Sequence, residues 1–332
     1  MSHAAEGATP SQAPAGGIRK RREAPAGPGK QTRDLTRPAS PEPLPFALYD
    51  NHTHLEFEDG VDTLDPLDSL ARAESVGVRG VVQVGTDLET SRWSAEFAAN
   101  DARVLAAVAL HPNEAPRLAA AGKLSEHLSE IARLAAQPRV RAVGETGLDF
   151  FRTGEDGRDA QYESFETHIE IAKANGIALQ IHDRDAHDEV VATLSRVGAP
   201  ERTVFHCFSG DAALARICNE RGWYMSFAGT MTFKNAPALR EALEVARPEL
   251  VLVETDAPFL TPEPLRGRPN APYLMPHTVR RIAEVTGEPL EDVCRRLAAN
   301  TERVYGSWEM EPGEAQPAVQ ATAQPAVRGG NE

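Results

Sequence analysis

The stretch FALYDNHTH at residues 46–54 shows the repeating unit of the chain, an apolar run that closes on polar side chains. Comparable apolar runs follow at intervals of about 20–40 residues, with helical patterns between them. The eight runs end near His54, Val84, Leu110, Glu145, His182, His206, Phe227 and Glu254. Parallel strands need crossover connections, and eight strand–helix units close a barrel. We therefore predict an α/β fold, the (β/α)8 TIM barrel.

One interval between runs shows the helical pattern clearly. Tyr162, Phe165, Ile169 and Ala172 recur on one helical face, and Gly176 follows as a stop. A doubly wound open sheet is the alternative fold. Neither a G-x-G-x-x-G loop nor a Walker loop follows the first run, and this weakens the alternative.

Both ends of the chain differ from the middle in composition. Residues 1–45 are rich in Ala, Gly, Pro and Ser and enclose the basic cluster Arg19–Arg22, so we expect a disordered, solvated tail that could touch nucleic acid. Residues 309–332 are rich in Ala, Gln and Pro and are predicted to form a second disordered tail. The barrel is expected to occupy residues 46–308.

The overall composition limits the class of protein. The 332 residues are 41% hydrophobic and 25% charged, which excludes disorder of the whole chain. With 35 basic and 49 acidic side chains, the net charge is −14. An acidic body argues against a protein that binds DNA through many Lys and Arg contacts to phosphate. If the substrate is anionic, positive charge must be supplied locally.

Neither a membrane segment nor a cysteine-based site is predicted. No apolar run reaches the ~18–20 residues of a membrane span, and no secretory signal is evident, so we expect a soluble, cytoplasmic protein without membrane contact. No obligate protein partner is predicted. Cys207, Cys218 and Cys294 lack C-x-x-C spacing, so any metal must be bound by histidine and carboxylate.

Candidate metal ligands fall where the predicted strands end. They are His52 and His54 on the first strand, Glu145 on the fourth, His182 on the fifth, His206 on the sixth and Asp256 just after the eighth. In a parallel barrel all these ends lie on the face that carries active sites. Residues two apart in a strand point the same way, so His52 and His54 can both face one ion. The sequence therefore predicts a metal site.

Six ligands are more than one catalytic ion takes from a protein, because an open position is kept for water or substrate. Two divalent ions therefore fit better, with Mg, Mn or Zn as the candidates. In this hypothesis His52, His54 and Asp256 hold one ion, His182 and His206 hold the other, and the Glu145 carboxylate bridges them. Their charge would attract an anionic phosphate to an acidic protein.

Several motifs together resemble those of the TatD-type metal-dependent deoxyribonucleases, over about residues 48–306. In order they are DNHTHL (50–55), ALHPNEA (109–115), GETGLDF (144–150), IHDRDAHDE (181–189), FHCFSG (205–210), TFKN (232–235), ETDAPFL (254–260) and RGRPN (266–270). The resemblance implies an amidohydrolase-type barrel, a two-metal centre, and hydrolysis of phosphodiester bonds with DNA as the substrate. It places the metal ligands at the six positions named above.

A mechanism follows as a hypothesis. The metal pair would lower the pKa of a water toward ~7 and so supply hydroxide at neutral pH. Asp256 would orient this water and take its proton. Glu145 is expected to act as a bridge, because a carboxylate that binds two ions keeps little basicity.

Four residues are candidate substrate contacts. Arg184 is a candidate phosphate clamp, with a salt bridge to Asp183 or Asp185 as the alternative. His111 is expected to contact substrate, although it could instead cap its loop. The weaker candidates are Lys234 and Arg266, with plain surface charge as the alternative.

Other functions remain open at this point. Related barrel hydrolases act on cyclic amides, lactones or phosphotriesters, but they commonly carry a modified lysine where this chain has Glu145. An ester on a nucleic acid, such as an aminoacyl-tRNA, is a further possible substrate. A non-enzymatic, metal-stabilised protein would need additional ligands to close the site, and none is evident.

Overall fold

The computed structural model describes residues 18–21 and 33–309. The strands in this part of the chain are β1 (Arg19–Lys20), β2 (Leu48–Thr53), β3 (Phe57–Glu58), β4 (Val78–Val84), β5 (Val104–Val108), β6 (Val140–Asp149), β7 (Ala178–Arg184), β8 (Thr203–Phe205), β9 (Tyr224–Phe227) and β10 (Val251–Val253). The α-helices are α1 (Pro66–Ser75), α2 (Leu88–Asn100), α3 (Ala115–Ala120), α4 (Leu124–Ala135), α5 (Glu155–Asn175), α6 (His187–Val197), α7 (Ala212–Arg221), α8 (Pro237–Val245), α9 (Met275–Thr286) and α10 (Leu290–Tyr305).

Eight of these strands form one parallel sheet in sequential order, β2-β4-β5-β6-β7-β8-β9-β10. The carboxyl end of β2 meets the segment that follows β10, where Thr53 and Ala257 form a parallel bridge and the Asp256 amide donates to the His52 carbonyl at 2.9 Å. This contact nearly closes the sheet into a barrel. The predicted barrel is confirmed, and the sequential strand order excludes the doubly wound sheet.

The predicted apolar patterns form the core between the barrel and its helices. In α5 the side chains of Phe165, Ile169 and Ala172 are buried, and Tyr162 packs against them half-buried. Gly176 ends this helix in the left-handed conformation, with φ 59°. The structure therefore ends helix α5 at the glycine that the sequence indicated.

Seven strand ends lie close to their predicted positions, whereas β6 continues past Glu145 to Asp149. The extension is possible because Gly147, with φ 136°, carries no side chain. A Cβ there would lie 2.1 Å from the carbonyl oxygen of His182 on β7. Because β6 can lie this close to β7, it continues four residues past Glu145 and places Asp149 in the cleft lining.

Part of the expected N-terminal tail contacts the barrel. Leu44 is buried, and Pro38 accepts a hydrogen bond from the Tyr273 hydroxyl at 2.8 Å. Strand β1 pairs in parallel with β3. Residues 18–21 and 33–45 thus contact the barrel through a paired strand and a buried leucine, which composition alone did not reveal. The expected C-terminal tail lies outside the described residues apart from Glu309.

Within the described residues, no helix is both long and apolar enough to cross a membrane.

Candidate metal centre

All six predicted metal ligands meet at the carboxyl ends of the barrel strands. Five of them, together with His111, line an open cleft of about 580 Å³, and His52 lies buried beneath it. The remaining lining residues are Arg21, Asn113, Asp149, Arg152, Asp183, Arg184, Cys207, Ser209, Thr230, Phe259 and Leu260. Residues distant in sequence are thus assembled into one site by the barrel.

The first ligand set lies where β2 meets the loop after β10. The Nε2 atoms of His52 and His54 are 3.2 Å apart. Oδ1 of Asp256 lies 3.5 Å from the His54 Nε2 and 3.8 Å from the His52 Nε2. These three potential donor atoms therefore lie within 3.8 Å of one another.

The second set lies beside the first, on β6 and β7 and just beyond β8, with the His206 ring stacked on the His52 ring at 3.9 Å. Oε2 of Glu145 is 2.9 Å from Nε2 of His206 and 3.2 Å from Nδ1 of His182. His111 reaches the same oxygen, with its Nε2 at 3.9 Å. His111 is thus placed among the potential ligands rather than at the outer edge of the cleft.

Glu145 stands between the two sets. Its Oε2 faces His206 and His182, whereas its Oε1 is 3.7 Å from Nε2 of His54. The side chain is 8% exposed. One carboxylate therefore presents one oxygen to each side, the geometry that a bridging ligand requires.

The residues present fit divalent cations. Nδ1 of His54 lies 2.9 Å from the Val84 carbonyl and donates to it, which leaves the lone pair of Nε2 directed at the cleft. Among the described residues three groups could hold an ion: His52, His54 and Glu145; His52, His206 and Glu254; and His111, Glu145 and His182. Imidazole nitrogen and carboxylate oxygen suit Zn and Mn, among others.

Without a cation, protons balance the buried carboxylates. Burial alone would lower the pKa of His206, but the charges of Glu145 and Glu254 and hydrogen bonds to them raise it to about 10. Burial opposes ionisation of Glu145 too, yet the charges of His111 and His206 and a hydrogen bond with His182 hold its pKa well below the usual value. The site therefore favours bound positive charge, which protons supply until a metal replaces them.

Two acidic residues that the sequence analysis did not single out support the histidines. Oδ2 of Asp149 lies 3.2 Å from Nε2 of His182. Oε1 of Glu254 lies 3.3 Å from Nδ1 of His206 and accepts the Cys207 amide at 2.7 Å. A signal existed for Asp149, because residues 145, 147 and 149 share one face once β6 is extended. Glu254 precedes Asp256 by two positions in ETDAPFL.

The predicted substrate contacts divide into two groups. Arg184 lines the cleft and stacks over Phe151 at 3.9 Å. Among the described residues the structure shows no ion pair between Arg184 and Asp183 or Asp185, and the role of Arg184 as a phosphate clamp stays a prediction. Lys234 is exposed outside the cleft lining, and Arg266, also exposed, stacks over Phe233 at 4.1 Å. These two stay predictions for the outer rim.

The backbone around the cleft is unusual. Four non-glycine residues adopt positive φ, namely Asp185, Cys207, Asp256 and Leu260, with values of 42–56°. The last three line the cleft. Such conformations carry a cost and persist where surrounding contacts impose them. At Asp256 this conformation accompanies the hydrogen bond from its backbone amide to the His52 carbonyl, and that hydrogen bond fixes the carboxylate beside the histidine pair.

Comparison with known proteins places these observations in context. Residues 49–306 match the family described as TatD related DNase. The chain is 46% identical to the uncharacterized metal-dependent hydrolase TatD of Mycobacterium tuberculosis over 264 residues, which cover 78% of this chain and 98% of that protein. It is 33% identical to the 3′-5′ ssDNA/RNA exonuclease TatD of Citrobacter rodentium, over 71% of this chain and 90% of that one.

Among solved structures, the TatD homologue YjjV of Escherichia coli K12 superposes with a TM-score of 0.68 at 26% identity. The match covers 78% of this chain and 97% of that one.

Proposed function

The chain belongs to the TatD-related DNase family of metal-dependent hydrolases, and on that basis we propose that it cleaves phosphodiester bonds in single-stranded DNA with two divalent cations. The observation that carries the proposal is the position of Glu145, with one carboxylate oxygen toward each ligand set. His52, His54 and Asp256 would hold one cation, and His182 and His206 the other. Bound cations would lower the pKa of water and offset charge on phosphate oxygens.

Asp256 is the residue that takes the proton of the attacking water in this proposal. Its Oδ1 faces the His52–His54 pair, while the side chain is 13% exposed to the cleft. It can therefore touch both the ligand set and a water beside the scissile phosphate. Glu145 is less suited to this role, because both of its oxygens face histidines.

Positively charged side chains on the cleft wall would hold the phosphate. Arg152 and Arg184 both line the cleft, and a guanidinium can bind two phosphate oxygens at once. The phenyl ring beneath Arg184 belongs to Phe151, which is 62% exposed. An exposed aromatic ring beside a cation is a surface on which an unpaired base can stack. The relative named as a 3′-5′ ssDNA/RNA exonuclease supports the same substrate class.

Metal-free protein titrated with Mg, Mn and Zn would test the proposal. End-labelled single-stranded DNA, duplex DNA, RNA and bis(p-nitrophenyl) phosphate are compared as substrates, with Glu145→Gln as a control for contaminating nuclease. We expect metal-dependent cleavage of single-stranded DNA and of the small diester. Cleavage of a lactone or an aminoacyl ester without cleavage of any phosphodiester would contradict the proposal and favour the alternative hydrolase.

A further inference from the structure

A short N-terminal segment, Ile18–Arg21, lies at the mouth of the cleft although it precedes residue 49, where the family match begins. Its backbone is fixed by β-pairing. The Arg19 amide donates to the Glu56 carbonyl at 2.6 Å, and the Arg21 amide donates to the Glu58 carbonyl at 2.9 Å. The segment therefore has a defined register against β3.

Side chains anchor the segment at both ends. Arg19 pairs with Asp87 at 2.7 Å and Glu89 at 2.8 Å, beside the N-terminus of α2. Arg21 pairs with Asp59 at 2.9 Å and donates to the Pro258 carbonyl at 2.8 Å. Pro258 lies two residues after Asp256, so the hydrogen bond to its carbonyl holds Arg21 in the wall of the cleft.

The Phe259 ring lies between Arg21 and the metal-ligand candidate His54. The guanidinium carbon of Arg21 lies 4.8 Å from the centre of the Phe259 ring. The same ring lies 6.0 Å from the imidazole of His54. A strand whose scissile phosphate sits at the histidines can therefore bring a neighbouring phosphate to Arg21.

The charge of Arg21 is not needed to neutralise its partner. Asp59 has a side chain only 4% exposed, and Arg33 already contacts both of its oxygens, at 2.7 and 3.2 Å. Two guanidinium groups thus share one carboxylate, so the group formed by Arg21, Arg33 and Asp59 keeps one net positive charge. Within the described chain, both hydrogen bonds of the Arg21 side chain come from Nη1. Its other N–H groups can serve a ligand.

From this geometry we infer that Arg21 binds a backbone phosphate of the nucleic acid next to the one that is cleaved. The inference rests on the proposed function and adds a contact supplied by a segment outside the family match. Arg21 is then a residue that favours long substrates, because a small phosphodiester fills only the space at the histidines.

The test uses full-length Arg21→Ala, with Lys20→Ala as the matched control. Lys20 is the exposed neighbour in the same short strand, so its loss removes one positive charge without removing a cleft residue. For Arg21→Ala we expect KM for a single-stranded oligonucleotide to rise ~10-fold, the usual scale of one charged hydrogen-bonding contact. The Arg21→Ala variant should hydrolyse bis(p-nitrophenyl) phosphate at the parental rate. The Lys20→Ala variant should keep the parental KM for the oligonucleotide. Arg21→Lys, which keeps the charge, should recover part of the loss.

Binding provides a readout that does not depend on cleavage. In an Asp256→Asn background, fluorescence anisotropy of a labelled oligonucleotide is measured over a range of salt concentration. Removal of one phosphate contact from a single strand should reduce the slope of log K against log salt by ~0.7. An unchanged slope and KM, or equal losses for Arg21→Ala and Lys20→Ala, would overturn the inference. Failure of the parent to cleave any phosphodiester would instead count against the proposed function, and the binding slope would still test Arg21.

Discussion

At the residue scale, Glu145 and Asp256 are two carboxylates of one site with different surroundings. Glu145 is nearly enclosed by histidine nitrogens, whereas Asp256 keeps a face toward the cleft. A carboxylate between two ligand sets holds charge in place. A carboxylate open to the cleft can exchange a proton with water. Substitution of each by its amide should therefore give different results.

We expect Asp256→Asn to retain much of the bound metal while losing ~10²–10⁴-fold in turnover, because an amide can ligate weakly but cannot accept the proton. Glu145→Gln should instead lose metal, since a neutral side chain cannot offset two cations. Elemental analysis and phosphodiester cleavage, measured on both variants, distinguish the roles. Near-parental turnover of Asp256→Asn with full metal would exclude Asp256 as the base and make His111 the next residue to examine.

The protonation of His206 gives a pH dependence to metal binding. Because Glu145 and Glu254 outweigh burial and raise its pKa to about 10, the metal-free ring keeps its proton at neutral pH. A cation must displace that proton, so apparent metal affinity should rise between about pH 6 and 8 with proton release. Calorimetric titration in two buffers of different ionisation enthalpy measures both quantities.

Two variants control this measurement. Glu254→Gln removes one of the charges that raise the pKa of His206, so the pH dependence of metal affinity should become weaker. His277→Gln alters a histidine on α9, outside the cleft, and should leave it unchanged. Metal affinity that is constant across this pH range would contradict the assignment of His206 as a ligand.

At the scale of elements, the close contact of β6 with β7 positions the site. Gly147 allows the His182 carbonyl to approach, and β6 thereby carries Asp149 to the ring of His182. The predicted end at Glu145 was too early because glycine and threonine interrupt the apolar run there. Backbone proximity between strands, which sets the real end, leaves no apolar pattern in the sequence.

Gly147→Ala should destabilise the protein and reduce its metal content. The new methyl would meet a carbonyl oxygen at 2.1 Å in addition to its unfavourable φ. Gly122→Ala is the matched control, because Gly122 also has positive φ, at 66°, but open space around it. We expect ~1–2 kcal/mol of lost unfolding free energy for the control and a larger loss for Gly147→Ala.

Urea unfolding and elemental analysis measure these effects. The control should keep its metal, since Gly122 lies in the loop between α3 and α4 and does not line the cleft. Equal destabilisation of the two variants with unchanged metal would show that the β6–β7 approach does not support the site.

At the scale of the whole molecule, the sequence predicted the barrel and brought together the six ligands because both depend on regular patterns. Strand ends in a parallel barrel share a face, so the position of His206 along the chain was enough to place it near His52. The contacts of Glu254 and Arg21 were not predictable in this way. Each depends on contacts between residues distant in sequence, and Arg21 lies in a segment whose composition resembles a tail.

The cleft explains how a protein of negative net charge can bind an anionic substrate. The chain carries a net charge of −14, yet its cleft combines cation ligands with the guanidinium groups of Arg21, Arg152 and Arg184. Attraction of a phosphate substrate then depends on the bound cations, because carboxylates outnumber arginines in the lining. Metal occupancy is therefore the property of the cleft on which substrate binding and cleavage depend most.

The most direct test is to measure metal content and single-stranded DNA cleavage on the same metal-reconstituted samples, for the parent chain and for His206→Ala. We predict two ions per parent chain at saturation, with cleavage appearing as the second ion binds. His206→Ala should approach one ion and lose cleavage while the His52–His54 ion remains bound. A stoichiometry fixed at one under saturating metal, with full cleavage activity, would contradict the two-cation centre bridged by Glu145.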